Sequence, residues 1–213
     1  MAKKVQKEER SIEILPLNEE TVAFKIRGIV PYVQNKFSQK AKNEMKEKQE
    51  GGSTKSKGKK KEAKDFKQVY EAAIHYAKEG WIGIPCSGLR AAMISACRLA
   101  GFKMTHAKLS LFVEPDGFDA DDGTPLFKIT KGKPKYVEHH VRLESGVADI
   151  RPRPMWDSGW EALVRIRYDA DQFTLKDVAN LLMRVGKQVG IGEGRPDGKK
   201  SCGMGWGLFE STN

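Results

Sequence analysis

Arg195, Lys199 and Lys200 share one loop with seven glycines, the eighteen residues Gly190 to Gly207 reading GIGEGRPDGKKSCGMGWG. Cations set among glycines are the residue types that hold a phosphate chain. Glycine, as at Gly192 and Gly194, adopts backbone angles that side chains forbid and lets another chain come close. Successive backbone N–H groups in such a stretch can form an anion-binding nest. The spacing matches neither common nucleotide fingerprint. No Gly-Lys-Ser/Thr opens a helix after Gly192-Glu193-Gly194-Arg195, and the loop leads from helix to strand rather than strand to helix. The competing reading is a long turn whose glycines answer to sterics alone.

Two further segments combine charge with a second useful property. Asn35 to Lys42 sets Phe37 among Lys36, Lys40 and Lys42, and an aromatic ring within a basic helix can stack on a base. The same ring could instead anchor that helix to the core. Arg151-Pro152-Arg153-Pro154 is a stiff, extended run whose guanidinium groups suit bidentate phosphate contact, or pairing with Asp149 or Asp157.

Charge is unevenly spread. The net +10 includes +7 from Lys36 to Lys67, where 12 lysines face five acidic residues, and +2 from the first ten residues. About +1 remains for everything else, so basic segments that look mobile surround a nearly neutral core. Such segments attract polyanions or simply keep a chain in solution.

Residues for catalysis are sparse. His139 and His140 are adjacent, so in a strand they point to opposite faces and cannot share a metal. His75 and His106 stand alone. Asp116, Asp119, Asp121 and Asp122 resemble a calcium loop only superficially. Counted from Asp119, glycine falls at position five rather than six and position twelve is Thr130 rather than glutamate. A solvated acidic turn is expected there. Cys86, Cys97 and Cys202 contain no CxxC pair, which fits reduced thiols and argues against zinc. No cofactor or metal site is read, and no nucleophile–base pair.

The elements that must position these residues follow from period and punctuation. Thr21 to Val30 alternates as a half-buried strand and Pro31 ends it. Phe37 to Gln49 reads as a polar helix. Gly51 to Lys61 (GGSTKSKGKKK) has nothing to bury and is expected to be disordered. Asp65 caps a helix expected to run through Lys78. Ser87 caps another to about Leu99, with Leu89, Ala92, Met93, Ala96, Cys97 and Ala100 on one stripe. Arg90 and Arg98 lie off it. Lys108 to Val113 reads as a strand, and Leu126 to Val147 as one or two hairpin arms. Trp160 to Tyr168 is a strand. Thr174 and Asp177 form a capping box, opening a helix whose face is Leu175, Val178, Leu182 and Val185. Met204 to Glu210 closes the chain as a strand.

Without its insertions, the order is βαββαβ. That predicts an α+β, ferredoxin-like (RRM-like) core: an antiparallel sheet with two helices on one face and the other face open. A single elaborated domain spans 1–213, with a lysine-rich helical insertion at 36–80 (disordered over 50–62) and a loop and β-hairpin insertion at 114–156.

Ile84-Pro85-Cys86-Ser87-Gly88-Leu89-Arg90, an apolar-Pro-x-Ser-x-Leu-basic turn opening the first helix, resembles the RAMP superfamily, the RNA-binding subunits of CRISPR effector complexes. The glycine-rich loop between second helix and last strand shares that resemblance, as do the extra lobes and hairpin. Nearly the whole chain is also similar to a group of phage and prophage proteins, through Asn35-Lys36-Phe37-Ser38-Gln39-Lys40-Ala41-Lys42, the lysine-rich insertion, Gly192-Glu193-Gly194-Arg195-Pro196 and Gly207-Leu208-Phe209-Glu210. The RAMP resemblance implies an RNA-binding role and assembly side by side along a strand.

The expectation is a non-catalytic single-stranded nucleic-acid-binding protein, RNA favoured slightly over DNA. Its contacts would come from Lys36, Phe37, Lys40, Lys42, Arg90, Arg151, Arg153, Gly192, Gly194, Arg195, Lys199 and Lys200. Expected partners are the strand itself, further copies of the chain and a phage or host protein complex. The rival readings are a metal-independent ribonuclease using its histidines and a phage protein that blocks a host complex by subunit mimicry. No apolar run approaches the ~18 residues that span a bilayer, and the basic N-terminus lacks a signal core. A cytoplasmic place in a bacterial host cell is therefore expected.

Overall fold

Alternation makes the strand β1 (Glu19–Gly28), with Val22, Phe24 and Ile26 turned inward and Thr21, Ala23, Lys25 and Arg27 outward. The computed structural model describes residues 14–37, 39–50, 65–142, 148–198 and 203–212. After β1 come β2 (Tyr32–Val33), α1 (Gln39–Glu50), α2 (Phe66–Glu71) and β3 (Gly83–Pro85). Asp65 caps α2 by accepting from the Gln68 N–H, as its sequence position predicts. The helix stops at Glu71 rather than Lys78. Ala73, Ile74 and Ala77 are buried, and Tyr76 and Ala77 bridge Ile82 and Asp119. Tertiary pairing ends this helix early.

The helix α3 (Cys86–Ala100) presents Leu89, Ala92, Met93, Ala96 and Cys97 to the core. Ala100 is exposed, and Pro85, not Ser87, is the N-cap residue. A short helix α4 (Met104–Ser110) precedes β4 (Leu111–Glu114), so the first half of the expected strand at 108–113 is helical. Then follow β5 (Gly117–Phe118), β6 (Pro125–Lys131), β7 (Lys135–Arg142), β8 (Ala148–Trp156) and β9 (Glu161–Asp169). The helix α5 (Leu175–Arg184) opens on the expected capping box: Asp177 N–H donates to Thr174 Oγ1, and Thr174 N–H donates to Asp177 Oδ2. It ends in a π-helical turn, Val185–Val189, before β10 (Phe209–Thr212).

The chain is α+β, and its larger sheet is antiparallel. Beside β9 lies β1 along its whole length on one side, and β4 and β6 end to end on the other. Beyond β1 lies β10, and beyond β6 lie β3 and β5. A second, smaller sheet runs β2-β8-β7. One core joins Ile26, Val164, Ile166 and Phe209 from the sheet to Leu89, Met93, Val178 and Leu182 from the helices. Each fully buried leucine or methionine there contributes roughly 1.5–3 kcal/mol. Among the described residues, no helix is long and apolar enough to cross a membrane.

Candidate nucleic-acid interface

The glycine-rich loop starts where the π turn ends, at Gly190, whose N–H donates to Val185 O. Backbone hydrogen bonds fold the loop back onto the molecule and onto itself. Ile191 N–H donates to Gly207 O and Gly207 N–H to Pro31 O. Glu193 N–H donates to Val33 O, and Asp197 N–H to Val189 O. Gly194 O accepts from both Met204 and Trp206. These bonds direct many of the loop's donors inward.

Gly192 and Gly194 show what the glycines answer to. Both have positive φ, +82° and +74°. A β-carbon at Gly192 would stand 2.5 Å from Val33 O and 2.6 Å from the Tyr32 ring, and one at Gly194 would stand 2.4 Å from the Trp206 ring. Close approach is required at both, and the approaching chain is the protein's own. On its other flank the loop is tied to α3, where Asp197 accepts from Ser95 Oγ at 2.5 Å and pairs with Arg98 at 2.9 Å.

The second wall is the β7–β8 hairpin. Its register sets His139 opposite Arg151 and Val137 opposite Arg153, so these four side chains share one face. That face meets the loop. The buried Arg153 guanidinium donates to Glu193 Oε2 at 2.5 Å and to Pro152 O at 3.0 Å. The His139 ring packs on the Trp206 indole, centroids 4.6 Å apart and planes inclined 43°. Burial holds the His139 imidazole below its ordinary pKa; Glu193 opposes this and Arg153 adds to it. His139 Nε2 is buried without a hydrogen-bond partner. Arg151 pairs with Asp149 at 3.3 Å, one of the two partners expected for the arginine–proline run. Exposed Arg195 donates to Gly192 O at 3.0 Å.

The remaining sequence-predicted residues lie elsewhere. Lys36 is buried, its Nζ 2.7 Å from Asp119 Oδ1 and 2.5 Å from Asp121 Oδ2. His75 Nδ1 meets the other Asp119 oxygen at 2.8 Å. The acidic turn is therefore no solvated surface loop at its centre, because Asp119 is fully buried and neutralises a buried lysine. Burial pushes the Asp119 carboxyl up, but Lys36, the Asp121 N–H and His75 outweigh it and hold it below the usual carboxylate range. Lys42 pairs with Asp122 at 2.6 Å. Phe37 is not a core anchor: its ring is 53% exposed just before α1. Arg90 serves the fold, donating to Leu111 O at 2.8 Å and Lys108 O at 2.5 Å, with its guanidinium 4.6 Å from the Phe112 ring centroid. The backbone of Lys40 lies in α1. Lys199, Lys200 and the lysine run 51–61 lie outside the described residues.

The helix-free face of the sheet, expected to be open, carries Lys25, Arg165 and Arg167. Each has an acidic partner: Lys25 with Glu161, Arg165 with Asp116, and Arg167 with Glu19 and Glu114. That face is charge-compensated, whereas the loop–hairpin seam adds an aromatic pair and the exposed Arg195 to its own ion pairs, so the seam is the stronger candidate. Sequence reasoning missed His139, Glu193 and Trp206 as members of the seam. The signals were there in part, since alternation separates His139 from His140 and an indole sits inside Gly-Met-Gly-Trp-Gly, but only the β7–β8 register sets His139 beside Arg151. Cys86 and Cys97 are buried, and burial pushes the Cys86 thiol up to about 12, so neither is an activated nucleophile. Among the described residues, no three metal-ligating side chains converge. The chain matches no known protein-family model and no curated protein.

Proposed function

We propose that this protein binds single-stranded nucleic acid without cleaving it, RNA somewhat in preference to DNA. The observation that carries this reading is the seam itself, where the His139–Trp206 ring pair, Arg151 and Arg195 are set along a glycine-rich loop. Rings that stack on bases beside cations that meet phosphates are the working parts of sequence-tolerant single-strand binding. Lys199 and Lys200 in the same loop and the lysine-rich stretch add salt-sensitive affinity. The order β10-β1-β9-β4, with α3 and α5 contributing to one core, supports a ferredoxin-like core of the RAMP kind. The hairpin β7–β8 would then be the counterpart of the RAMP thumb. On this reading the protein works in the cytoplasm of a bacterial host, on phage or host strands.

Fluorescence anisotropy with labelled single strands of unrelated sequence tests it. Trp206→Ala should weaken binding about tenfold or more, as loss of one stacking partner does. The triple change Arg195→Ala, Lys199→Ala, Lys200→Ala should weaken all sequences alike, since phosphate contacts position a strand without specifying it. Wild-type affinity in both variants at low salt would refute the seam.

A further inference from the structure

We propose that a second copy of this chain docks its Ile14–Leu17 arm along the open edge of β1. Backbone direction alternates along β1: Gly28 N–H points to Trp160 O on the β9 side, and Ile29 N–H to Leu208 O on the β10 side. The N–H and C=O groups of Thr21 and Ala23 therefore point away from β9. Among the described residues, β10 pairs with β1 only from Lys25 to Gly28, so no strand meets Thr21 or Ala23 on that side. An edge of this kind accepts an extended peptide as an added strand.

The edge opens into a groove of about 750 Å³, lined by Val22, Phe24, Leu163, Leu175, Ala179 and Thr212. Leu175 was expected on the buried face of α5, yet it is 52% exposed at the rim of this groove. The occupant is argued from the other end of the same strand. Ile14, Leu15 and Leu17 are 90%, 74% and 67% exposed, three large apolar side chains within four residues that no other described residue covers. The segment has no helical or strand pairing of its own and feeds straight into β1. It cannot lie alongside Thr21–Phe24 of its own chain without reversing direction at once. In an extended arm, Leu15 and Leu17 share a backbone direction and Pro16 faces the opposite way. When Leu15 and Leu17 pair with the edge, the proline that lacks a donor falls on the solvent side, where proline is tolerated. A chain that carries both an open edge and an uncovered apolar arm is complementary to its own copy. This interface does not depend on nucleic-acid binding.

Sedimentation and light scattering of the nuclease-treated full chain test the proposal. Wild type should self-associate, its mean mass rising with concentration. Leu15→Asp with Leu17→Asp changes two exposed side chains and should keep the circular dichroism and thermal midpoint of wild type. Association should weaken at least ~100-fold, since two buried leucines are lost. Ala179→Arg, in the groove, should weaken it as well. Mixed together, the arm variant and the groove variant should form a complex, because one retains the groove and the other the arm. A wild type monomeric up to its solubility limit overturns the proposal. So does undiminished association of the arm variant, or failure of the two variants to combine.

Discussion

At Gly192 a single hydrogen atom does the work that the sequence allows two explanations for. With φ at +82° and Val33 O 2.5 Å from where a β-carbon would stand, the residue answers first to its own fold. Gly192→Val should cost about 2 kcal/mol or more by denaturant titration, through backbone strain and steric overlap together. An unchanged midpoint would mean that the loop yields easily. His75 gives a second residue-scale outcome. Burial holds its imidazole below the ordinary 6.5 despite Asp119. A base whose pKa is depressed in the folded state favours the neutral form there. Its contribution is thus full above the unfolded pKa and is lost as pH falls from about 6.5 through the folded value. Asp119 has the same sign further down, because its own pKa is lowered and its contribution disappears only in acid. Thermal midpoints should therefore fall as the pH drops below about 6.5. His75→Gln should flatten that slope, leaving the part owed to His139, whose pKa is also lowered. A slope identical in the variant would remove His75 as its source.

Elements with their signals inside a short window were legible, and those fixed by distant contacts were not. The strand expected at 160–168 is β9 at Glu161–Asp169, and the Thr174–Asp177 capping box starts α5 as read. By contrast, Lys108–Ser110 belongs to α4 although its alternation looks like a strand. Arg90 from α3 accounts for part of that difference, since it donates to the carbonyls of Lys108 and Leu111, 18 and 21 residues away. The last strand begins at Phe209 rather than Met204 because Gly203, Gly205 and Gly207 all have positive φ. The arginine–proline run was read correctly as extended, but its partner hairpin and the seam it forms depend on tertiary placement. That seam is held by Arg153 and Glu193, whose side chains are 9% and 25% exposed. Glu193→Gln should destabilise the protein by about 1–3 kcal/mol, because a buried guanidinium loses its counter-ion. Pairing it with Arg153→Met should recover part of that loss. Strict additivity in the double-mutant cycle would show that the two groups do not couple.

For the molecule as a whole, the weight of charge and the weight of packing fall in different places. Several cations of the packed body are compensated internally: Lys36, Lys42, Arg153, Arg165 and Arg167 each have an acidic partner. The excess of +7 from Lys36 to Lys67 includes five lysines between Gly51 and Lys61. On the proposed function, these act as sequence-independent phosphate neutralisers, each adding ~0.7 to the log–log salt slope on a single strand. Deleting 51–61 should therefore leave the thermal midpoint close to wild type, since a run of glycine, serine, threonine and lysine has too little apolar surface to offset its ordering entropy. The salt slope should fall by up to ~3.5, and binding at low salt should weaken alike for every sequence. A large drop in the midpoint would show that the run packs against the body. An unchanged slope would confine the electrostatics to the loop–hairpin seam.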